Sequence, residues 1–218
     1  MERGAEGGVR PIPSEEIGFI AGYLAQVQEV ARQIDAAAVE RLVQRLIQVR
    51  AAGGRLFILG VGGSAGNASH AANDFRKIAG FEAYAPMDNV SELTARINDE
   101  GWDTCLAYWL RGSRMGPSDA VLVFSVGGGD EARGVSRCLV QALKYAKQVG
   151  AATCGIVGRD GGYTALVADE CVIVPTVNAG LVTAHAESFQ AVIWHGIVCH
   201  PQLMTQQTRW ESLAGAQP

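Results

Sequence analysis

The 218-residue sequence has no CxxC pair and no closely spaced cysteines. Its five cysteines (Cys105, Cys138, Cys154, Cys171 and Cys199) are an odd number, which fits reduced thiols serving as small apolar core residues better than a disulfide frame. No apolar run approaches the roughly 20 residues of a membrane span. The opening stretch MERGAEGGVRPIP is polar and glycine-rich and lacks the apolar core of a signal peptide. These absences predict a cytoplasmic protein with no membrane contact. Basic residues are scattered and the net charge is −4, so the clustered positive face that nucleic acid requires is missing. Charged residues reach only 18%, low for a domain exposing all its faces, whereas 48% hydrophobic residues suffice for one well-buried core. That balance predicts that part of the surface is covered by another subunit.

What is present is a change of period along the chain. Residues 1–13 read as a flexible tail and 14–218 as a single domain. Ser14, with Glu15 and Glu16 behind it, marks a helix start, and Ile17, Ile20, Leu24, Val27, Ala31 and Ile34 recur at helical spacing. Asp35 is placed to cap a second helix, which Gly53-Gly54 stops. Short apolar runs then alternate with helical stretches. Strands are expected at Leu56–Leu59, Glu82–Ala85, Ala120–Phe124, Thr153–Val157 and Cys171–Val174. Helices are expected at 65–79, 90–98 and 104–110, directly after Gly129 to Val149, at 163–168, and finally over 183–199. Continuous apolar strands between helices predict an α/β fold, a three-layer parallel sheet covered on both faces, with ligands beyond the carboxyl ends of the strands.

Two of those strand ends are glycine turns. At Gly62-Gly63-Ser64 the missing β-carbons let backbone N–H groups approach an anion, and the following helix adds its positive end. The spacing is neither GxGxxG nor a P-loop, and tight packing of strand on helix explains such glycines equally well. Ser125-Val126-Gly127-Gly128-Gly129 follows a second strand of the same sheet, so the two turns can hold the ends of one polyol phosphate. Asp130 comes next, where its carboxylate repels a phosphate unless it turns away as a helix cap.

Two histidine–carboxylate pairs share helix faces: His70 with Asp74 at i,i+4, and Glu187 with His195 eight residues apart on the last helix. Such pairs supply four ligands for a zinc-like ion, or an acid and a base. They equally describe a surface pair and a hydrogen-bonded core histidine beside Trp194. His185 and His200, at helix ends, read as structural.

Together these residues resemble the phosphoheptose isomerase branch of the sugar isomerase (SIS) domain family, from about Ile17 to His200. The family's Gly-Asn-Gly-Gly-Ser turn is similar to Gly60-Val61-Gly62-Gly63-Ser64, and its following histidine segment to Gly66-Asn67-Ala68-Ser69-His70. A longer family stretch resembles Asn89 to Trp102. The resemblance implies an aldose–ketose isomerase that converts sedoheptulose 7-phosphate into a heptose 7-phosphate through an enediol(ate), in a homotetramer or homodimer. It further implies zinc held by His70, Asp74, Glu187 and His195, with His195 as acid and Glu187 or Asp74 as base. Substrate contacts are implied at Gly62, Gly63, Ser64, Asn89, Ser125, Gly127, Gly128 and Gly129. The chain departs from the family in four places. Asp74 stands for a glutamate and Glu187 for a glutamine, Val61 for an asparagine, and the second turn has lost three hydroxyls and an amide. Two further readings therefore stand beside the isomerase: a phosphosugar-binding or partner-binding protein without catalysis, and an isomerase or epimerase of another phosphosugar.

Overall fold

The computed structural model describes residues 18–214. The tail expected over residues 1–13, and the helix start expected at Ser14, lie outside the described residues. Two helices come first, α1 (Phe19–Gln33) and α2 (Ala36–Ala51), and Asp35 caps α2 by accepting the Ala38 N–H at 3.2 Å. Five strands follow: β1 (Leu56–Leu59), β2 (Ala83–Tyr84), β3 (Ala120–Ser125), β4 (Ala152–Val157) and β5 (Glu170–Ile173). They form one sheet in the order β2-β1-β3-β4-β5, with every pair parallel. This is the α/β architecture expected from the continuous apolar runs.

Side-chain alternation divides the core into two layers. Leu56, Ile58, Ala120, Leu122 and Phe124 face a cluster with α2, α3 (Gly63–Lys77) and α8 (Val182–Val198). Phe57, Leu59, Val121 and Val123 face α5 (Cys105–Gly112) and α6 (Arg137–Gln148). Burying each large apolar side chain contributes about 1.5–3 kcal/mol, so this two-sided burial dominates the fold. The remaining helices are α4 (Val90–Glu100), α7 (Gly162–Val167) and α9 (Arg209–Ala214).

Three elements differ from expectation. α3 begins at Gly63, inside the first glycine turn rather than after it. α6 begins only at Arg137, so no helix directly follows the second turn. Residues 130–136 form a loop closed by an antiparallel bridge between Asp130 and Val135, and Asp130 Oδ1 accepts the Arg133 N–H instead of capping a helix. α9 follows the helix that was expected to be last. Strand order reverses direction between β1 and β3, which puts a crevice at their carboxyl ends, where both glycine turns lie.

At the opposite end of the sheet an ion pair joins the starts of β1 and β3. Asp119, just before β3, accepts the Arg55 N–H at 2.8 Å, the Arg55 side chain at 2.8 and 3.2 Å, and the Gly116 N–H at 2.9 Å. Arg55, just before β1, also donates to the carbonyls of Ser113 and Arg114. Burial pushes the Asp119 carboxyl up, but the guanidinium and the two backbone N–H groups outweigh it and hold it below its usual 3.8. A carboxyl lowered on folding stabilises the native state above its unfolded value, and that contribution disappears as pH falls through the lower folded value. Asp119→Ala strands Arg55 and two N–H groups. It should cost about 3 kcal/mol in urea unfolding at pH 7, with the difference from wild type shrinking below about pH 4.

Candidate active site

α3 leaves β1 at the crevice and runs beside α8, and a buried polar network joins the two helices. Gln190 is fully buried, receives the Asn67 amide at 2.8 Å and donates to Ser64 Oγ at 3.1 Å. Asn67 also donates to the Glu187 carbonyl at 2.9 Å, and Ser64 Oγ donates to Glu187 Oε1 at 3.4 Å. Each polar group finds a partner on the facing helix, so the pairing sets both the distance and the rotation of α8 on α3.

That rotation brings His70, Asp74 and His195 together. Their donor atoms all lie within 4.8 Å of one another, with Asp74 Oδ2 at 3.6 Å from Nε2 of each histidine. Asn73 donates to Asp74 Oδ1 at 2.8 Å, leaving Oδ2 to the imidazoles. His195 Nδ1 lies 2.7 Å from the Ala191 carbonyl, which can only accept. Nδ1 therefore carries a proton, and Nε2 faces the cluster. Buried Trp194 backs both rings, stacked on His195 at 3.5 Å between centroids and edge-on to His70 at 4.7 Å. The two imidazoles keep 58% and 47% side-chain exposure, so the cluster opens outward from the α3/α8 layer.

Glu187, the fourth expected ligand, is held apart from this cluster. Its carboxylate packs against Gly63 and takes the Ser64 hydroxyl, at the positive N-terminal end of α3. The first glycine turn thus already has a negative group beside it. Gly62 supplies its φ of +64° for the turn.

The second turn is occupied in another way. Ser125 is buried and its Oγ accepts the Gly128 N–H at 3.0 Å, while the Gly128 carbonyl accepts from the Thr164 hydroxyl at 2.7 Å and the Thr164 N–H at 3.0 Å. The Gly129 carbonyl accepts from Tyr163 N–H at 2.8 Å. A β-carbon on Gly128 would collide with the Gly161 carbonyl. Gly128 and Gly129 serve close packing of the turn onto the Gly161-Gly162 loop, and the hydroxyls of Ser64 and Ser125 are both buried and bonded within the protein. Gly127 is left partly open, with the Arg159 side chain lying over it. Asn89 accepts the Glu92 N–H at 3.1 Å as the cap of α4 and borders a cavity of about 830 Å³ with Ser69, Asn73 and Arg76. His185 joins α8 to α1 through Gln26 at 2.9 Å and by stacking on Tyr23, in line with the structural role read from sequence. Burial holds the thiols of Cys138 and Cys171 up at about 12 and about 11, so neither is a nucleophile near neutral pH.

Two imidazole nitrogens and one carboxylate oxygen suit a zinc-like divalent ion with open positions for substrate oxygens. The fixed His195 tautomer presents the nitrogen such a site needs, so the residues fit a metal.

Residues 22–158 match the SIS domain family. Phosphoheptose isomerase from Trichlorobacter lovleyi is 33% identical over 159 residues, covering 71% of this chain and 77% of that protein. The chain belongs to the SIS domain family, in its phosphoheptose isomerase branch. A second relative, the Mycobacterium tuberculosis phosphoheptose isomerase, is 30% identical over 188 residues, covering 84% of this SIS chain and 92% of its own. Among solved structures, phosphoheptose isomerase from Neisseria gonorrhoeae superposes with a TM-score of 0.72 over 82% of this chain and 95% of that one, at 22% identity, a likeness of fold.

Asn67 and Gln190 are the residues that sequence reading did not single out. Their signal was positional: each lies three residues beyond a site candidate, Ser64 and Glu187, on the same helical face. Gly128→Ala meets both a φ of +69° and a backbone clash, and should cost more than about 3 kcal/mol in thermal unfolding. Gly127→Ala meets only ordinary contacts with Arg159 and should melt within a few degrees of wild type.

Proposed function

We propose that this SIS protein is an aldose–ketose isomerase of a sugar phosphate, with sedoheptulose 7-phosphate, converted to a heptose 7-phosphate, as its substrate. The observation that carries this reading is the convergence of His70, Asp74 and His195 where α3 meets α8. Isomerisation moves one proton between neighbouring carbons and one between their oxygens. Asp74 Oδ2, the carboxylate oxygen free of Asn73, takes the proton from the carbon beside the carbonyl and returns it to the next carbon. His195 Nε2 serves the oxygens of the enediol(ate), its ring held by the Ala191 carbonyl. Glu187 is set eight residues, about 12 Å, along α8 from His195. That distance favours Asp74 over Glu187 as the base. His70, Asp74 and His195 would hold a divalent ion, zinc by donor type; with His195 Nε2 as a ligand, its polarisation of the substrate oxygens would stand in for proton transfer by that nitrogen.

Self-association belongs to the same reading. Phe19, Ile20 and Leu24 form a stripe on α1 with exposures of 72%, 66% and 55%, an apolar surface suited to a second copy. We take the assembly to be a homotetramer in which partner chains border the outward-facing cluster. The free cysteines, and the finding that no described helix is long and apolar enough to cross a membrane, fit a place in the cytoplasm. The buried, bonded hydroxyls of Ser64 and Ser125 favour the second reading, a phosphosugar-binding protein without turnover.

Assay with sedoheptulose 7-phosphate separates the two. Wild-type protein should interconvert it with the aldose, and His195→Ala should lower the rate about 100- to 10,000-fold with unchanged circular dichroism. A variant as fast as wild type removes His195 from the chemistry, and a wild type that binds without turnover supports the binding protein. Ile20→Glu should shift the light-scattering mass from tetramer to a smaller species.

A further inference from the structure

We infer that Arg159 is the phosphate-recognising group of this site, taking the place of the hydroxyls that the second glycine turn no longer offers. The inference rests on the isomerase reading and deepens it. A phosphate at the first turn would meet the Glu187 carboxylate against Gly63 and Ser64, and like charges at that distance repel. At the second turn Ser125 Oγ is buried and holds the Gly128 N–H, and Gly127, Gly128 and Gly129 carry no side-chain donors. The expected cradle lacks a free donor side chain of its own.

Arg159 supplies one from the neighbouring strand end. It follows Gly158, whose N–H donates to the Ser125 carbonyl at 3.2 Å, so the end of β4 is tied to the start of the glycine turn. A β-carbon on Gly127 would sit 3.5 Å from Arg159 Cδ and 3.8 Å from Nη1, which places the guanidinium directly over the open glycine. Any side chain larger than alanine there would press into the arginine. The backbone of Arg159 has φ of +54°, a conformation that residues other than glycine, asparagine and aspartate rarely adopt. Glycine would fit without strain, and the chain carries arginine instead.

Two of the carboxylates around it are paired with other cations. Arg159 lines a cavity of about 230 Å³ with Asp130, Glu131, Arg133 and Asp160. Asp130 pairs with Arg133 at 3.6 Å, Glu131 pairs with Lys144 at 2.5 Å, and Asp160 Oδ1 accepts the Gly162 N–H at 3.2 Å. Among the described residues Arg159 forms no ion pair. Its planar fork suits two oxygens of a phosphate monoester. The contact at Gly158, where a β-carbon would lie 2.9 Å from that of Ala186, puts this strand end beside the residue preceding Glu187. The cation and the committed carboxylate thus lie at the same end of α8, beside the strand ends.

Calorimetric titration of the full chain with inorganic phosphate and with sedoheptulose 7-phosphate tests this. Arg159→Ala, and Arg159→Gly as the variant relieved of backbone strain, should each weaken both ligands at least tenfold. In turnover they should raise KM by a similar factor with little change in kcat. Arg159→Lys should recover part of the loss, and Arg41→Ala, on α2 and paired with Glu170 at the amino end of β5, should match wild type. Phosphate affinity unchanged in both Arg159→Ala and Arg159→Gly overturns the assignment. Turnover with an Arg159-independent KM also overturns it and leaves the isomerase standing. Arg159-dependent binding without any turnover keeps the assignment and removes the isomerase, and a wild type that binds neither ligand overturns both.

Discussion

The polar clasp between α3 and α8 is the constraint on which the rest of the site depends. Parallel sheets covered by helices leave the rotation of each helix to side-chain packing, which is forgiving by several degrees. Gln190, bonded to Asn67 on one side and to Ser64 on the other, removes that freedom because a buried amide without partners would cost about 1–3 kcal/mol. From that fixed rotation the positions of His70, Asp74 and His195 follow, since each lies a set number of residues along its helix from the clasp. Catalytic groups must be held to within roughly half an ångström, and helix-borne side chains anchored by a buried network meet that demand better than loops.

The sheet's carboxyl end is built on a different physical basis. There the chain approaches itself backbone to backbone, Gly128 against Gly161, with Thr164 donating twice to one carbonyl. Such contacts exclude side chains from the turn, so any charge the crevice presents must reach in from its rim. Glu187 does so from α8 and Arg159 from the end of β4, so the two rims bring in opposite charges.

The fold was legible because fully buried parallel strands read as unbroken apolar runs. Leu56–Leu59 was placed to the residue, and β3 and β4 each within one. What escaped had no periodic signature. The 130–136 loop keeps its shape through the Asp130–Val135 bridge and two ion pairs, and nothing local distinguishes it from the first turn of α6. In the site, His70 and Asp74 at i,i+4, and the helical phase of His195, were sufficient to bring three groups together. Glu187 was assigned to the same point because residues eight apart share a helix face, but a shared face fixes direction and not height, and two turns of rise carried the carboxylate to Gly63. The glycine turns and the family resemblance point to Ser64 and Ser125 as ligand donors, whereas their partners, Gln190 and the Gly128 N–H, are set by tertiary packing.

The chain's departures from its family are unevenly distributed, and the two construction principles explain why. Val61, the triple glycine and Glu187 all lie at the crevice, whereas by the same resemblance the His70–Asp74–His195 cluster keeps both histidines and exchanges glutamate only for the shorter Asp74. Loop ends and rim side chains can change charge without moving a helix, so substrate recognition can drift there at small cost to stability. A change at Asn67 or Gln190 would instead rotate α8 and displace both histidine environments together. Arg159 at a left-handed backbone angle fits this pattern. Its conformation carries a strain of about 1–3 kcal/mol, tolerable at a rim supported by the Gly158 and Gly161 hydrogen bonds, and it places a cation where the turn itself has no room for one.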